Sequence, residues 1–156
     1  MSKPVIHIPL HSYLLDWFLF NNGGKQPIVP KRNTQIAMIL TGYVTRKPRG
    51  WKYKKNMDGC VGFAIPQIHG KWAATWCYLP EEHVKRIQKI IRAQFCDQLF
   101  HTIRKDLTNP QKKITKMELI YRFMKKNHIE ESDRNYFAID KIYSRMQKAN
   151  KNAPIC

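Results

Sequence analysis

Glu81-Glu82-His83-Val84-Lys85-Arg86-Ile87-Gln88-Lys89-Ile90-Ile91-Arg92-Ala93-Gln94-Phe95-Cys96-Asp97-Gln98-Leu99-Phe100-His101-Thr102-Ile103-Arg104-Lys105-Asp106 is the stretch whose reading decides the fold. Val84, Ile87, Ile91, Phe95, Leu99 and Ile103 recur every three or four residues, the spacing of one face of an α-helix. Glu81 and Glu82 suit its start, where carboxylates meet the positive end of the helix dipole. The pattern ends before Asn109-Pro110, so residues 81–106 are predicted to form one long amphipathic helix.

On the C-terminal side the pattern stays helical. Thr115 and Glu118 have capping-box spacing, and Met117, Ile120, Tyr121 and Met124 form the next stripe, over 115–126. Asn127-His128-Ile129 ends that helix, and Ser132 can cap a last one over 132–150. Residues 151–156 are expected to fray. On the N-terminal side the periodicity changes. Residues 60–65 and 71–79 are β-branched and aromatic. Joined by Pro66-Gln67-Ile68-His69-Gly70, they read as an antiparallel hairpin with Trp72, Trp76 and Tyr78 on one face. Earlier still, 5–10 reads as a short strand and 11–20 as a helix with Leu14, Leu15, Phe18 and Leu19 on one face. Asn21-Asn22-Gly23-Gly24 stops that helix. Residues 27–29 could add a second short strand. Asn33 or Thr34 caps a helix carrying Ile36, Ile39, Leu40 and Tyr43. The predicted class is α+β: a mixed part over 1–80 with a small antiparallel sheet and two helices, then a three-helix segment over 81–150 with helix-turn-helix character, together one compact unit.

Charge is the outlying property. The 156 residues hold 28 Lys and Arg against 11 Asp and Glu, a formal +17. Solubility of a small domain needs a net charge of only about 2–8, and the surplus costs stability through self-repulsion. Polyanions are the natural partners. The excess is local: residues 31–58 carry +7 and residues 107–156 carry +6.

Those two regions supply the candidate site. Arg46, Lys47, Arg49, Lys52, Lys54 and Lys55 flank Trp51 and Tyr53 in a segment with Pro and Gly punctuation and no periodicity, read as a long exposed loop. Cations interleaved with aromatic rings suit a surface that tracks a phosphate backbone and stacks bases. The other reading is that Trp51 packs back onto the hairpin. On the last helix Tyr136, Ile139, Tyr143 and Met146 step along one side, and Arg134, Lys141, Arg145 and Lys148 along another. A short helix followed by a basic one is the pattern of a helix-turn-helix, although the link lacks the glycine often found there. Arg134 and Asn135 would then sit where a recognition helix meets base edges, Arg suiting guanine and Asn adenine.

Other chemistries lack their motifs. No nucleotide-cradling glycine loop and no nucleophile elbow is present. Asp16, Asp58 and Asp133 do not make a metal-holding carboxylate set, and His7 and His11 have no cysteine pair beside them. The expectation is a non-enzymatic protein with no cofactor and no metal. The longest apolar run, 13–20, is broken by Asp16 and far short of the roughly 20 residues of a membrane span. Cys60, Cys77, Cys96 and Cys156 are widely spaced, as in a reducing compartment, so a cytoplasmic protein without membrane contact is expected. Lys, Asn, Ile and Tyr usage has the flavour of an AT-rich genome, such as that of a phage or mobile element. The function expected is nucleic-acid binding, DNA favoured over RNA, by a regulator or accessory factor. A structural or assembly protein and an RNA-binding module are the alternatives, and homo-oligomers are compatible with any of these.

Overall fold

The computed structural model describes residues 4–54, 57–107 and 114–151. The elements run β1 (Val5–Pro9), α1 (Ser12–Asn21), α2 (Gln35–Tyr43), β2 (Cys60–Ala64), α3 (Glu81–Leu107), α4 (Lys116–Lys126) and α5 (Asp133–Lys151). The architecture is α+β, with a two-stranded antiparallel sheet in the N-terminal half and three helices after it.

Helix α3 is the axis. Ile87, Ile91, Phe95, Leu99 and Ile103 are all essentially inaccessible, and α1, α2, α4, α5 and β1 pack against the helix that carries them. Phe95 is the focus: its ring meets Tyr13 at 5.2 Å, Trp17 at 5.4 Å and Phe123 at 5.7 Å, in tilted or edge-on geometries that aromatic pairs favour. One apolar cluster therefore joins the sheet side to the helical side, from Ile6 to Tyr143.

The sheet differs from its predicted form. Residues 60–64 do form a strand, but its partner is β1, with Ile6 opposite Phe63 and Ile8 opposite Val61. These four side chains are buried, as alternation on one sheet face requires. The other edge of β2 meets residue 28 in a single parallel bridge, with Ile28 N–H donating to Gly62 O at 2.8 Å. Both edges of β2 are thus engaged, and 71–79 does not pair with it. Gly62 is needed there because a Cβ would fall 2.8 Å from Val5 Cγ1.

Residues 71–79 do not form a strand. Ile68 and Lys71 close a tight bridge, and the amides of Thr75 and Trp76 then both donate to Trp72 O, at 3.0 and 2.8 Å. That is one helical turn, so Trp72 and Trp76 sit i, i+4 on the same side, and Tyr78 does not share a strand face with them. Tyr78 bridges to Thr45 instead.

The helix ends follow their predicted caps. Thr34, Thr115 and Ser132 hydroxyls accept from Ala37, Glu118 and Asn135 amides at 3.2, 3.3 and 3.2 Å. The glycine missing between α4 and α5 is replaced by His128, at φ 54°. Ile129 N–H donates to Met124 O at 2.9 Å and His128 N–H to Lys125 O at 3.3 Å, the pair of bonds that closes a helix through a left-handed residue. Buried Ile129 and the stacking of His128 on Phe20 at 4.2 Å hold the turn. The expected fraying of the tail beyond residue 151 lies outside the described residues.

Candidate nucleic-acid interface

The loop over 45–54 is tied down along its length. Thr45 exchanges backbone hydrogen bonds with Tyr78, and Lys47 N–H donates to Thr75 O at 2.9 Å. Farther on, Val5 N–H donates to Tyr53 Oη at 3.1 Å, and the His7 ring lies 2.9 Å from Lys54 O. The segment is a strap across β1 and 75–78, not a free arm.

That anchoring turns Trp51 inward and leaves Tyr53, 40% exposed, among the cations. Trp51 is half-buried, edge-on to Tyr53 at 6.4 Å and Tyr78 at 5.9 Å, and helps to line a cavity of about 260 Å³ with Ile6 and Leu79. It is a packing residue, as a large apolar ring in reach of the core should be. Arg46, Lys47, Arg49, Lys52 and Lys54 remain exposed. Lys55 lies outside the described residues.

On α5 the amphipathic division is realised. Ile139, Ile142 and Tyr143 are buried, while Arg134, Lys141, Arg145 and Lys148 are exposed. Asp140 is drawn to α4 by Lys116, with Nζ 2.8 Å from Oδ1. Among the described residues, no carboxylate lies within ion-pairing distance of these four cations or of Arg46, Lys47, Arg49, Lys52 and Lys54. Phe137, 64% exposed, falls within the same stripe, three residues from Arg134 and four from Lys141. Sequence reading passed over it, although its i+3 and i+4 spacing to the cations was there to be read.

Asn135 leaves the candidate set. Its side chain is 1% exposed, and Nδ2 donates to Glu130 O at 3.0 Å, so the amide is committed to the α4–α5 turn and has no access to a base edge. Of the predicted base-reading pair, Arg134 alone faces solvent.

A second aromatic group lies at Trp72 and Trp76. Trp72 is 81% exposed. One turn on, the half-buried Trp76 ring carries two cations, Lys71 Nζ at 4.6 Å and Arg46 Cζ at 5.4 Å from its centroid. The loop's basic end therefore meets an aromatic ring at Trp76, one turn from the exposed Trp72, and not at Trp51.

Nucleophile chemistry finds little support in the same geometry. Burial raises the thiol pKa of Cys60 and Cys77, which keeps both protonated near neutrality. Burial likewise raises the Tyr143 phenol, against the opposing effect of Lys116. Among the described residues no group of three or more His, Cys, Asp or Glu side chains is placed to hold a metal ion, and no helix is long and apolar enough to cross a membrane. The chain matches no protein-family model, no curated protein and no solved structure.

Proposed function

We propose that the protein binds nucleic acid mainly through phosphates, using the outer stripe of α5 (Arg134, Lys141, Arg145, Lys148) and the strap cations Arg46, Lys47, Arg49, Lys52 and Lys54. The observation that carries this reading is that all of these side chains are exposed and, among the described residues, none is neutralised by a carboxylate. Exposed like charges on one helix face repel one another, and a polyanion relieves that repulsion while its counterions are released. Duplex DNA is the favoured ligand: the stripe lies on one helix, and α4 and the turn at His128 brace it from behind. With Asn135 internal, the reading carries backbone binding further than sequence-specific recognition, as an accessory or architectural role would use.

The test replaces Arg134, Lys141, Arg145 and Lys148 together by Ala and follows anisotropy of labelled duplexes of several sequences. Affinity should fall for all of them alike, and the slope of log affinity against log salt should flatten by about 1 per cation removed. Unchanged affinity and slope would contradict the proposal. Loss confined to single-stranded RNA would move it to the RNA-binding alternative.

A further inference from the structure

We infer that Trp72 is a stacking platform for an unpaired nucleobase, with Arg46 and Lys71 placed to take the adjoining phosphate. This rests on the nucleic-acid reading and deepens it, because it assigns a ligand class that the basic stripe of α5 does not need.

The geometry begins with a constraint. Two amides, of Thr75 and Trp76, hold the Trp72 carbonyl in a single helical turn. The turn is pinned below by Lys47 N–H to Thr75 O and by burial of Cys77. The indole of Trp72 is thereby carried outward on a fixed backbone. Among the described residues no ring or cation lies against it. Its neighbour differs: Trp76 is half-buried and already holds Lys71 and Arg46 over its ring. The result is a free aromatic face one turn from two positioned cations. Beside it lies a cleft of about 460 Å³ with Pro66, Ile68 and Ala73 in its walls and Gln67 and His69 among its polar groups. Clefts that take small ligands run to about 300–1,000 Å³ and combine apolar walls with a few polar groups.

The chemistry that fits is a flat π-system joined to an anion. A base has a π-face regardless of its identity, and stacking on tryptophan tolerates any sequence. A base inside a duplex has both faces occupied, so the ligand is an unpaired one. An anionic membrane would also attract an exposed tryptophan flanked by cations. Insertion, however, needs several apolar side chains on one surface. Within 65–79, Trp72 is the one large apolar side chain in the exposed class. The observations favour the base.

The experiment measures binding at low salt of labelled thymidine oligomer, uridine oligomer and an abasic phosphodiester of equal length, to wild type, Trp72→Ala and Trp72→Phe. Because Trp72 is so exposed, Trp72→Ala is expected to keep the wild-type fold, checked by circular dichroism. Wild type should bind a base-bearing oligomer better than the abasic strand. Trp72→Ala should lose about tenfold on the base-bearing strand and nothing on the abasic one. Trp72→Phe should recover most of the loss, and whichever of the thymidine and uridine strands wild type binds more tightly identifies the source of the base. If wild type binds all three strands and Trp72→Ala binds each as wild type does, the platform is overturned while the phosphate reading stands. If no strand and no duplex binds wild type, both fall. A Trp72→Ala loss on phosphatidylcholine–phosphatidylserine vesicles with none on oligomers overturns the platform in favour of a membrane surface.

Discussion

Asn135 sits at the first turn of α5 with its backbone amide bonded to Ser132 Oγ and its side-chain amide bonded to Glu130 O. Both bonds serve the corner between α4 and α5. Asn135→Ala should lower stability by about 1 kcal/mol, since a buried hydrogen bond is lost and the Glu130 carbonyl keeps only the Ser132 amide as donor. It should leave duplex affinity and sequence preference unchanged. Urea unfolding and anisotropy on one preparation check both; a change in sequence preference with unaltered stability would return Asn135 to the interface. A related group nearby was legible only in part. Asn127, 3% exposed, accepts from Asn21 Nδ2 and Gln98 Nε2, both at 3.2 Å, and Gln98 in turn accepts from Trp17 Nε1 at 3.1 Å. An asparagine after a helix reads as a stop signal from sequence. Its role as the node joining α1, α3 and α4 depends on contacts with residues far along the chain. Such partners leave no local pattern.

At the scale of elements, what was legible followed from period and capping. The stripe Ile87, Ile91, Phe95, Leu99 and Ile103 is fully buried, and α3 spans the length its spacing implied. The hydroxyls at 34, 115 and 132 cap as their positions suggested. The partner of β2 was not legible. Alternation marks a strand and one face but says nothing of which strand lies beside it, and the nearer segment, 71–79, was the default choice. That segment has strand-like residues yet folds as a turn, because both edges of β2 are already engaged by β1 and Ile28. The exposure of Trp72 follows from the same turn, so it too was hidden. The weight placed on α3 has a direct consequence. Phe95→Ala removes the ring shared by Tyr13, Trp17 and Phe123 and should cost about 3–5 kcal/mol in urea unfolding. A loss below about 1 kcal/mol would mean that the sheet side and the helical side do not depend on a common core.

Across the whole molecule the charge of +17 resolves into faces with different supports. The strap is held by β1 and 75–78; the α5 stripe is held by α1, α3 and α4. Each pairs exposed cations with an exposed ring, Trp72 in one case and Phe137 in the other. Folding an excess of positive charge onto rigid elements costs repulsion that a flexible tail could avoid. On the proposed reading, a fixed backbone array offsets part of that cost, because only the side chains and not the chain itself must be ordered on binding.

The most direct test of that account is the salt dependence of duplex binding by the intact protein, followed by anisotropy across a range of potassium chloride concentrations. Four phosphates neutralised by α5 alone give a slope of log affinity against log salt of about −3.6, and strap contacts steepen it. A straight line of that slope or steeper is the predicted result. A slope near zero would show that the cations of α5 and the strap do not meet phosphate, and would contradict the account at its centre.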